Sequence, residues 1–134
     1  MTTTARFWRE IPSRYRLDGS KCGSCGREFF PPRVMCPDCH RKSAGKMERI
    51  QFDGSGEIIT YTVVHQPPDE FNVEVPYVVA LVELAKGVRV AGQVVECPVG
   101  EVKIGMKVQA VLRRLHQDGK AGAIHYGYKF APVR

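Results

Sequence analysis

Residues 22–39, CGSCGREFFPPRVMCPDC, decide the fold of the first part of the chain. Two Cys-x-x-Cys pairs, Cys22 with Cys25 and Cys36 with Cys39, stand ten residues apart. Four thiolates at this spacing suit one tetrahedral zinc ion, because two intervening residues let both sulfurs of a pair reach the metal. A site closed by four thiolates has no open coordination position. We therefore expect one structural Zn²⁺ that stabilises the fold and does not catalyse.

Other cysteine chemistries compete with this interpretation. Disulfides are typical of secreted proteins, and the first residues, MTTTARFWREIPSRYRL, hold no uninterrupted apolar run of the kind found in a signal peptide. A redox dithiol needs only one Cys-x-x-Cys pair. Rubredoxin-type iron accepts the same four thiolates and stays open as an alternative. Reduced cysteines indicate the cytoplasm, and no apolar run is long enough to span a membrane.

The formal charge of +6 is unevenly distributed along the chain. Residues 1–50 hold eleven Lys and Arg against five Asp and Glu, whereas residues 51–134 hold nine of each. A basic first part is suited to nucleic acid, to a phosphorylated ligand or to an acidic protein partner. Solubility alone is the simpler explanation for any single arginine.

Residues 5–17 have the apolar spacing of a short helix, with a break or two short helices expected at Pro12. So short a helix must dock either on its own domain or on a second protein, and we keep both interpretations. Tryptophan, tyrosine and arginine are enriched at interface hot spots. The candidate docking residues are Phe7, Trp8, Ile11, Tyr15, Arg6, Arg9 and Arg14.

From residue 47 the pattern changes to the two-residue period of strands. Strands are predicted at 47–52, which is weaker than the others, and at 57–65, 77–84, 88–95, 106–115 and 123–130. A loop with three prolines is expected at 66–76, and a bulge or kink at Gly92. The alternating apolar residues of the last two strands, Met106 to Leu112 and Ile124 to Phe130, are expected in the core.

The predicted fold class is mainly β with a short α N-terminus. It consists of an N-terminal helix, a rubredoxin-like zinc ribbon and a C-terminal five-stranded OB-fold barrel, because barrel closure hides strand edges. The expected domains are a helical docking segment at 1–20, the zinc ribbon at 21–46 and the OB-fold at 47–134.

A search for catalytic groups finds no constellation. Cys97 precedes Pro98 in a connector, where a packed or idle thiol is the simpler interpretation. His65, His116 and His125 have no evident acid or base partner in the sequence. There is no glycine-rich phosphate loop opening a helix. We therefore expect a protein without its own active site, and a stand-alone enzyme is the weakest hypothesis.

Several motifs together resemble one family. They are Phe7-Trp8, the four-cysteine stretch with Pro31-Pro32-Arg33, GSGEIITYTVV (54–64), VPYVVALVELAKGVRVAGQVV (75–95) and IGMKV (104–108). Over roughly residues 7–112 the chain resembles the acyl-CoA-associated proteins with a zinc ribbon and an OB-fold, known as the domain of unknown function of type thirty-five. The four cysteines alone are not specific to this family, but their combination with the other motifs is.

The resemblance implies a small accessory subunit, not an enzyme, beside thiolase-fold or other acyl-CoA enzymes. In archaea a single-domain member bridges acetoacetyl-CoA thiolase and hydroxymethylglutaryl-CoA synthase at the start of the mevalonate pathway. That complex passes acetoacetyl-CoA through a shared CoA site, and CoA is a candidate shared ligand here. The alternatives are an accessory subunit of a degradative thiolase, hydratase or aldolase, and, from another class, a binder of single-stranded nucleic acid.

Overall fold

The computed structural model describes residues 4–69 and 75–134. The chain forms two compact units, Met1–Asp53 and Gly54–Arg134. Short helices and a small sheet occupy the first unit, and a closed five-stranded barrel occupies the second, which confirms the predicted fold class. The three domain bounds expected above stay predictions.

The helical N-terminus forms two short helices, as expected, but the break between them lies at Glu10 and not at Pro12. Helix α1 spans Thr4–Arg9 and helix α2 spans Ile11–Arg16. Pro12 lies in the first turn of α2, where its missing N–H costs no helical hydrogen bond. Helix α2 ends at Leu17, whose backbone is left-handed with φ 56°. The proline therefore starts the second helix instead of interrupting the first.

A three-stranded antiparallel sheet carries the first cysteine pair. Its strands are β1 (Asp18–Cys22), β2 (Glu28–Phe29) and β3 (Met47–Gln51), in the order β2-β1-β3. Strand β3 pairs with β1 along its whole length. The weak strand near residue 47, which we expected in the OB-fold, therefore belongs to the ribbon sheet. Its short alternation predicts a strand but does not identify the neighbour with which it pairs.

The second unit is a barrel with the strand order β4-β5-β6-β8-β7, closed by pairing of β7 with β4. Neighbouring strands are antiparallel except β6 and β8, which meet in parallel at Val94 and Phe130. The predicted loop 66–76 falls partly on residues 70–74, which lie outside the described residues. The strands are β4 (Ser55–Val64), β5 (Tyr77–Ala85), β6 (Val88–Val94), β7 (Lys107–Gln117) and β8 (Ile124–Pro132).

The barrel interior is filled by valines, Ile58 and the ring of Phe130, which is fully buried. A Cβ atom on Gly92 would lie 2.6 Å from that ring, so the glycine makes room for it. The expected bulge at Gly92 is wrong, because Gly92 pairs with Ala80 in an unshifted register. A register shift in β7 lies instead between Arg114 and His116.

The outer parts of β7 and β8 do not enter the core, contrary to our expectation. Strand β7 pairs with β4 only from Lys107 to Gln109. Beyond that point Leu112 is 51% exposed, and Ile124 and Tyr126 are exposed as well. The hairpin continues past the barrel. Side chains on the same face of β8 as Phe130 are therefore outside the barrel interior nearer the hairpin tip.

Three side chains hold the end of this hairpin together. The Asp118 carboxylate accepts hydrogen bonds from His116 Nε2 and His125 Nε2, each at 3.0 Å. The two imidazole rings stack with centroids 5.9 Å apart, and His125 is only 6% exposed. Both histidines therefore have an acidic partner, Asp118, which the sequence did not identify.

These bonds, first that from His125 and then that from His116, hold the pKa of Asp118 below its ordinary value. A carboxyl group whose pKa is lower in the folded than in the unfolded state stabilises the fold above its unfolded pKa of about 4 and loses that contribution as the pH falls. We expect Asp118→Asn to be destabilising at pH 6 and progressively less so towards pH 3, as measured by urea denaturation followed by circular dichroism. Asp69→Asn is the control, and a constant difference across this range would contradict the assignment.

Candidate metal centre and exposed surfaces

The four cysteines of the sequence motif converge on one point. Their Sγ atoms all lie within 4.8 Å of one another. The Cys22–Cys39 and Cys25–Cys36 sulfurs are 3.9 and 3.7 Å apart, too far for a disulfide bond. A tetrahedron with metal–sulfur bonds of about 2.3 Å has edges of about 3.8 Å. The cysteines are therefore positioned to bind one metal ion in a closed tetrahedral shell.

Two turns of the same shape bring the sulfurs together. In the first, Gly26 is left-handed with φ 75°, and its N–H donates to the Cys22 carbonyl at 2.9 Å. In the second, His40 is left-handed with φ 50°, and its N–H donates to the Cys36 carbonyl at 2.9 Å. Each turn folds the backbone beneath the metal position. His40 is exposed and lies outside the group of four sulfurs.

The metal position is also the core of this part of the chain. Cys22, Cys36 and Phe29 form a buried cluster, against which Cys39 and Met47 pack. The buried Ser43 hydroxyl accepts the Cys36 N–H at 2.9 Å and donates to the His40 carbonyl at 2.6 Å. Sequence reasoning placed Ser43 in a polar connector and missed this role, because nothing in the pattern HRKSAGK marks it.

The protonation of the thiols favours a bound cation. Backbone N–H groups, first that of Cys25 and then that of Ser24, lower the pKa of the Cys22 thiol to about 6. The hydrogen bond with Cys25, together with burial, raises the pKa of the Cys39 thiol to about 12. Without a metal the four sulfurs cannot all ionise, because like charges in contact oppose one another. A divalent ion removes that conflict, and the all-sulfur donor set suits zinc or iron.

Cys97 takes no part in the centre. Its Sγ lies 3.5 Å from the Pro98 carbonyl oxygen, and the side chain is half-buried. Burial, and then the nearby Glu101, raises the pKa of this thiol. These features agree with the packed thiol that the sequence indicates. Cys97 can therefore serve as a control in tests of the four candidate metal ligands.

The candidate docking residues divide into an inner and an outer group. Phe7 is buried, and the Arg14 guanidinium lies 4.7 Å from the centre of its ring. Arg6 and Arg14 both pair with Glu10, at 3.1 and 2.5 Å. Trp8, by contrast, is 72% exposed. Phe7 therefore packs within its own unit, whereas Trp8 is presented to solvent.

A second exposed apolar point lies on the loop between the two cysteine pairs. Val34 is 91% exposed, and the neighbouring Met35 is also exposed. The loop is tied to β1 by a hydrogen bond from the Arg33 N–H to the Ser20 hydroxyl at 2.8 Å. Sequence reasoning did not select Val34 and Met35, because two apolar residues between metal ligands are equally consistent with burial.

Comparison with known proteins identifies the family. Residues 9–43 match the family model described as ChsH2, rubredoxin-like zinc ribbon domain, and residues 50–113 match that described as ChsH2, C-terminal OB-fold domain. The chain is 50% identical to a DUF35 domain-containing scaffold protein of Methanothermobacter thermautotrophicus, and the match covers 98% of both chains. The chain belongs to the DUF35 family. A second DUF35 scaffold protein, of Methanocaldococcus jannaschii, is 48% identical over 96% of this chain and 89% of its own.

Solved structures of DUF35 proteins have the same fold as this chain. A structure described as Ltp2-ChsH2(DUF35) aldolase superposes with a TM-score of 0.72 at 31% identity, covering 98% of this chain and 96% of the other. A DUF35 protein of Sulfolobus solfataricus shares the fold, with a TM-score of 0.57 at 22% identity, over 96% of this chain and 84% of its own. The description of the archaeal relatives as scaffold proteins supports the expected non-catalytic subunit.

Removing one thiolate should abolish the metal site. In Cys36→Ser we expect less than one bound metal ion per chain and loss of the folded first unit, because structural zinc contributes of the order of 10 kcal/mol to small domains. Atomic emission on the purified proteins counts and identifies the metal. Cys97→Ser should keep one ion per chain, and a full complement in Cys36→Ser would refute the four-thiolate shell.

The left-handed turn at Gly26 gives a second test. No atom lies within 4 Å of a Cβ placed there, so Gly26→Ala changes only the backbone energy. We expect it to lower the free energy of unfolding of the metal-loaded first unit by about 1 kcal/mol. Thermal denaturation measures this, with Gly100→Ala as the control, since Gly100 is equally open but not left-handed. Equal stability of the two variants would contradict the strain argument.

Proposed function

We propose that this DUF35 protein is a non-catalytic scaffold that bridges acetoacetyl-CoA thiolase and hydroxymethylglutaryl-CoA synthase in the cytoplasm. The observation that carries the proposal is its 50% identity, along nearly the whole of both chains, to an archaeal protein described as a DUF35 scaffold protein. In this role it supports the transfer of acetoacetyl-CoA between the two enzymes in the mevalonate pathway. Thiolase condensation is thermodynamically uphill, and direct transfer draws it forward.

The geometry of the metal centre supports a structural role for the metal. Four thiolates leave no coordination position for a substrate, so an ion held by them would act as a staple. We propose that this ion is zinc. The staple holds the loop that presents Val34 and Met35, so metal binding and the shape of that exposed surface are linked.

The residues that we propose to dock on an enzyme are the outward-facing members of the N-terminal set. Trp8 and Arg9 are exposed on α1, and Ile11 and Tyr15 are partly exposed on α2. Arg6 and Arg14 are held against Glu10, so they orient the helices as well as contributing charge. A tryptophan with this exposure is typical of an interface anchor.

We propose CoA as a shared ligand that is held mainly by the enzymes. The basic first part of the chain could add a positive charge near its phosphates. The open cleft of about 560 Å³ on the barrel is less suited, because Glu57 and Glu83 line it and only Lys107 offsets their charge. Lys107 is itself paired with Glu57 at 2.6 Å.

A second candidate is an accessory subunit of an aldolase or a hydratase. The structure with a TM-score of 0.72 is described as an aldolase that contains a DUF35 component. A protein of Thermomonospora curvata described as a probable enoyl-CoA hydratase alpha subunit is 35% identical to this chain, which spans 31% of that relative's length. Similar chains are therefore described both with an aldolase and as part of a hydratase subunit.

Replacing Trp8 tests the docking surface. We expect Trp8→Ala to weaken co-purification with co-expressed thiolase and synthase by about 2 kcal/mol, roughly thirtyfold, because an exposed anchor would be removed. Thermal stability should be unchanged, since the side chain is 72% exposed. Affinity capture with quantified band intensities measures the effect.

The matched control is Ile104→Ala, which removes another exposed apolar side chain, on the barrel. Its complex should be as stable as that of the wild type. If Trp8→Ala has no effect, the helical docking surface is wrong. If thiolase and synthase do not bind the wild type but an aldolase or hydratase does, the second candidate replaces the first.

A further inference from the structure

The hairpin that extends beyond the barrel has features that a barrel core does not need. We call its outer part, residues 111–117 of β7 and 124–129 of β8, the hairpin arm. Strand β4 stops pairing with β7 at Gln109, and β6 meets β8 only at Phe130. Within the described part of the chain, no strand pairs with either outer edge of the arm.

The edge of β7 is oriented to accept another strand. The Ala110 N–H points away from β8 and donates to the Gly54 carbonyl at 2.9 Å. Backbone groups alternate between the two edges of a strand, so those of Leu112 and Arg114 point the same way as those of Ala110. The Leu112 carbonyl accepts from the Arg113 guanidinium at 3.2 Å, a side-chain donor where a sheet would supply a backbone one. Such an edge is a template for strand addition.

One face of the arm is apolar and exposed. Leu112 lies opposite Tyr128, and Arg114 lies opposite Tyr126, so these four side chains share a face. Leu112 and Tyr126 are exposed, and Ile124, two residues from Tyr126, extends the same face outward. A strand added at the edge of β7 would place every second side chain beside this apolar surface.

The positive charge of the arm favours an added strand that is acidic. The arm holds three basic residues, Arg113, Arg114 and Lys129, and no acidic one, whereas residues 54–106 hold three Lys and Arg against seven Asp and Glu. The basic end of the barrel unit is therefore the arm. The Arg114 guanidinium bonds a neutral amide, Gln117 Oε1, at 2.5 Å, so no carboxylate neutralises it in that contact. Arg113 already pairs with Glu96.

We propose that the hairpin arm receives an extended acidic segment of a partner polypeptide as an added strand along β7. Apolar side chains of that segment would cover Leu112 and Tyr126, its carboxylates would lie on the opposite face beside Arg113 and add negative charge near Arg114, and its backbone would complete the hydrogen bonds of Leu112 and Arg114. The inference rests on the proposed scaffold role only in taking the partner to be a polypeptide.

Single-stranded nucleic acid fits the arm less well. Bases stack on aromatic rings, but two of the three exposed large apolar side chains here, Leu112 and Ile124, are aliphatic. An open strand edge offers alternating N–H and C=O groups, which a second peptide backbone satisfies and a sugar–phosphate chain does not.

A peptide titration of the full-length, metal-loaded chain tests the proposal. The probe is a capped heptapeptide that alternates glutamate with valine, and the comparison peptide alternates lysine with valine. We expect the acidic peptide alone to shift the amide signals of Leu112 and Arg114 in NMR spectra and to slow their hydrogen exchange at least threefold. The double variant Arg113→Glu/Arg114→Glu should weaken binding at least tenfold, and Leu112→Ser should weaken it less.

The matched control is Arg89→Glu, the same charge reversal at an exposed position of β6, and it should bind as the wild type does. The proposal is overturned if the acidic peptide binds elsewhere or not at all at millimolar concentration. It is also overturned if the Leu112 and Arg114 amides are already protected in the free chain, or if an oligothymidylate shifts these amides and the peptide does not. None of these outcomes involves Trp8 or an enzyme, so the scaffold proposal would stand or fall separately.

Discussion

The first unit depends on the convergence of four sulfur atoms that repel one another when ionised. Cys22 and Cys36 are its most deeply buried side chains together with Ser43, and few large apolar residues share its interior. A unit of this size cannot bury enough apolar surface to be stable without help from a metal or a disulfide. With a pKa of about 6 at Cys22 and about 12 at Cys39, the thiols need a cation to reach a common charge state. We therefore expect metal binding and folding to be one event in this unit.

The barrel is stabilised in a different way. Its closure is made by the pairing of β7 with β4 and by the parallel contact of Val94 with Phe130. The buried ring of Phe130 fills the space that Gly92 leaves. Closure of the barrel ends before β7 and β8 end. What remains is the hairpin, whose tip is held by the Asp118 carboxylate between two imidazoles.

A scaffold needs surfaces that stay in place while its partners work, and both units supply them. In the first, the metal-stapled loop presents Val34 and the helices present Trp8. In the second, the hairpin presents an apolar face and a basic charge. Positions 22–39 hold the family's metal motif, whereas Trp8 and the outer residues of β8 lie outside the stretches that match the two ChsH2 family models.

The sequence by itself determined the four cysteines that converge, the strands from residue 47 onward and the fold class, because cysteine spacing and two-residue periodicity are local properties. Tertiary structure alone decided that residues 47–51 pair with β1, since a strand pattern does not name its neighbour. It also buried Phe7 while exposing Trp8, although one helical pattern selected both. Tyr126 and Phe130 follow the same alternation, yet only Phe130 is buried, because the barrel ends between them. Periodicity fixes which face a side chain is on, and only packing decides whether that face is covered.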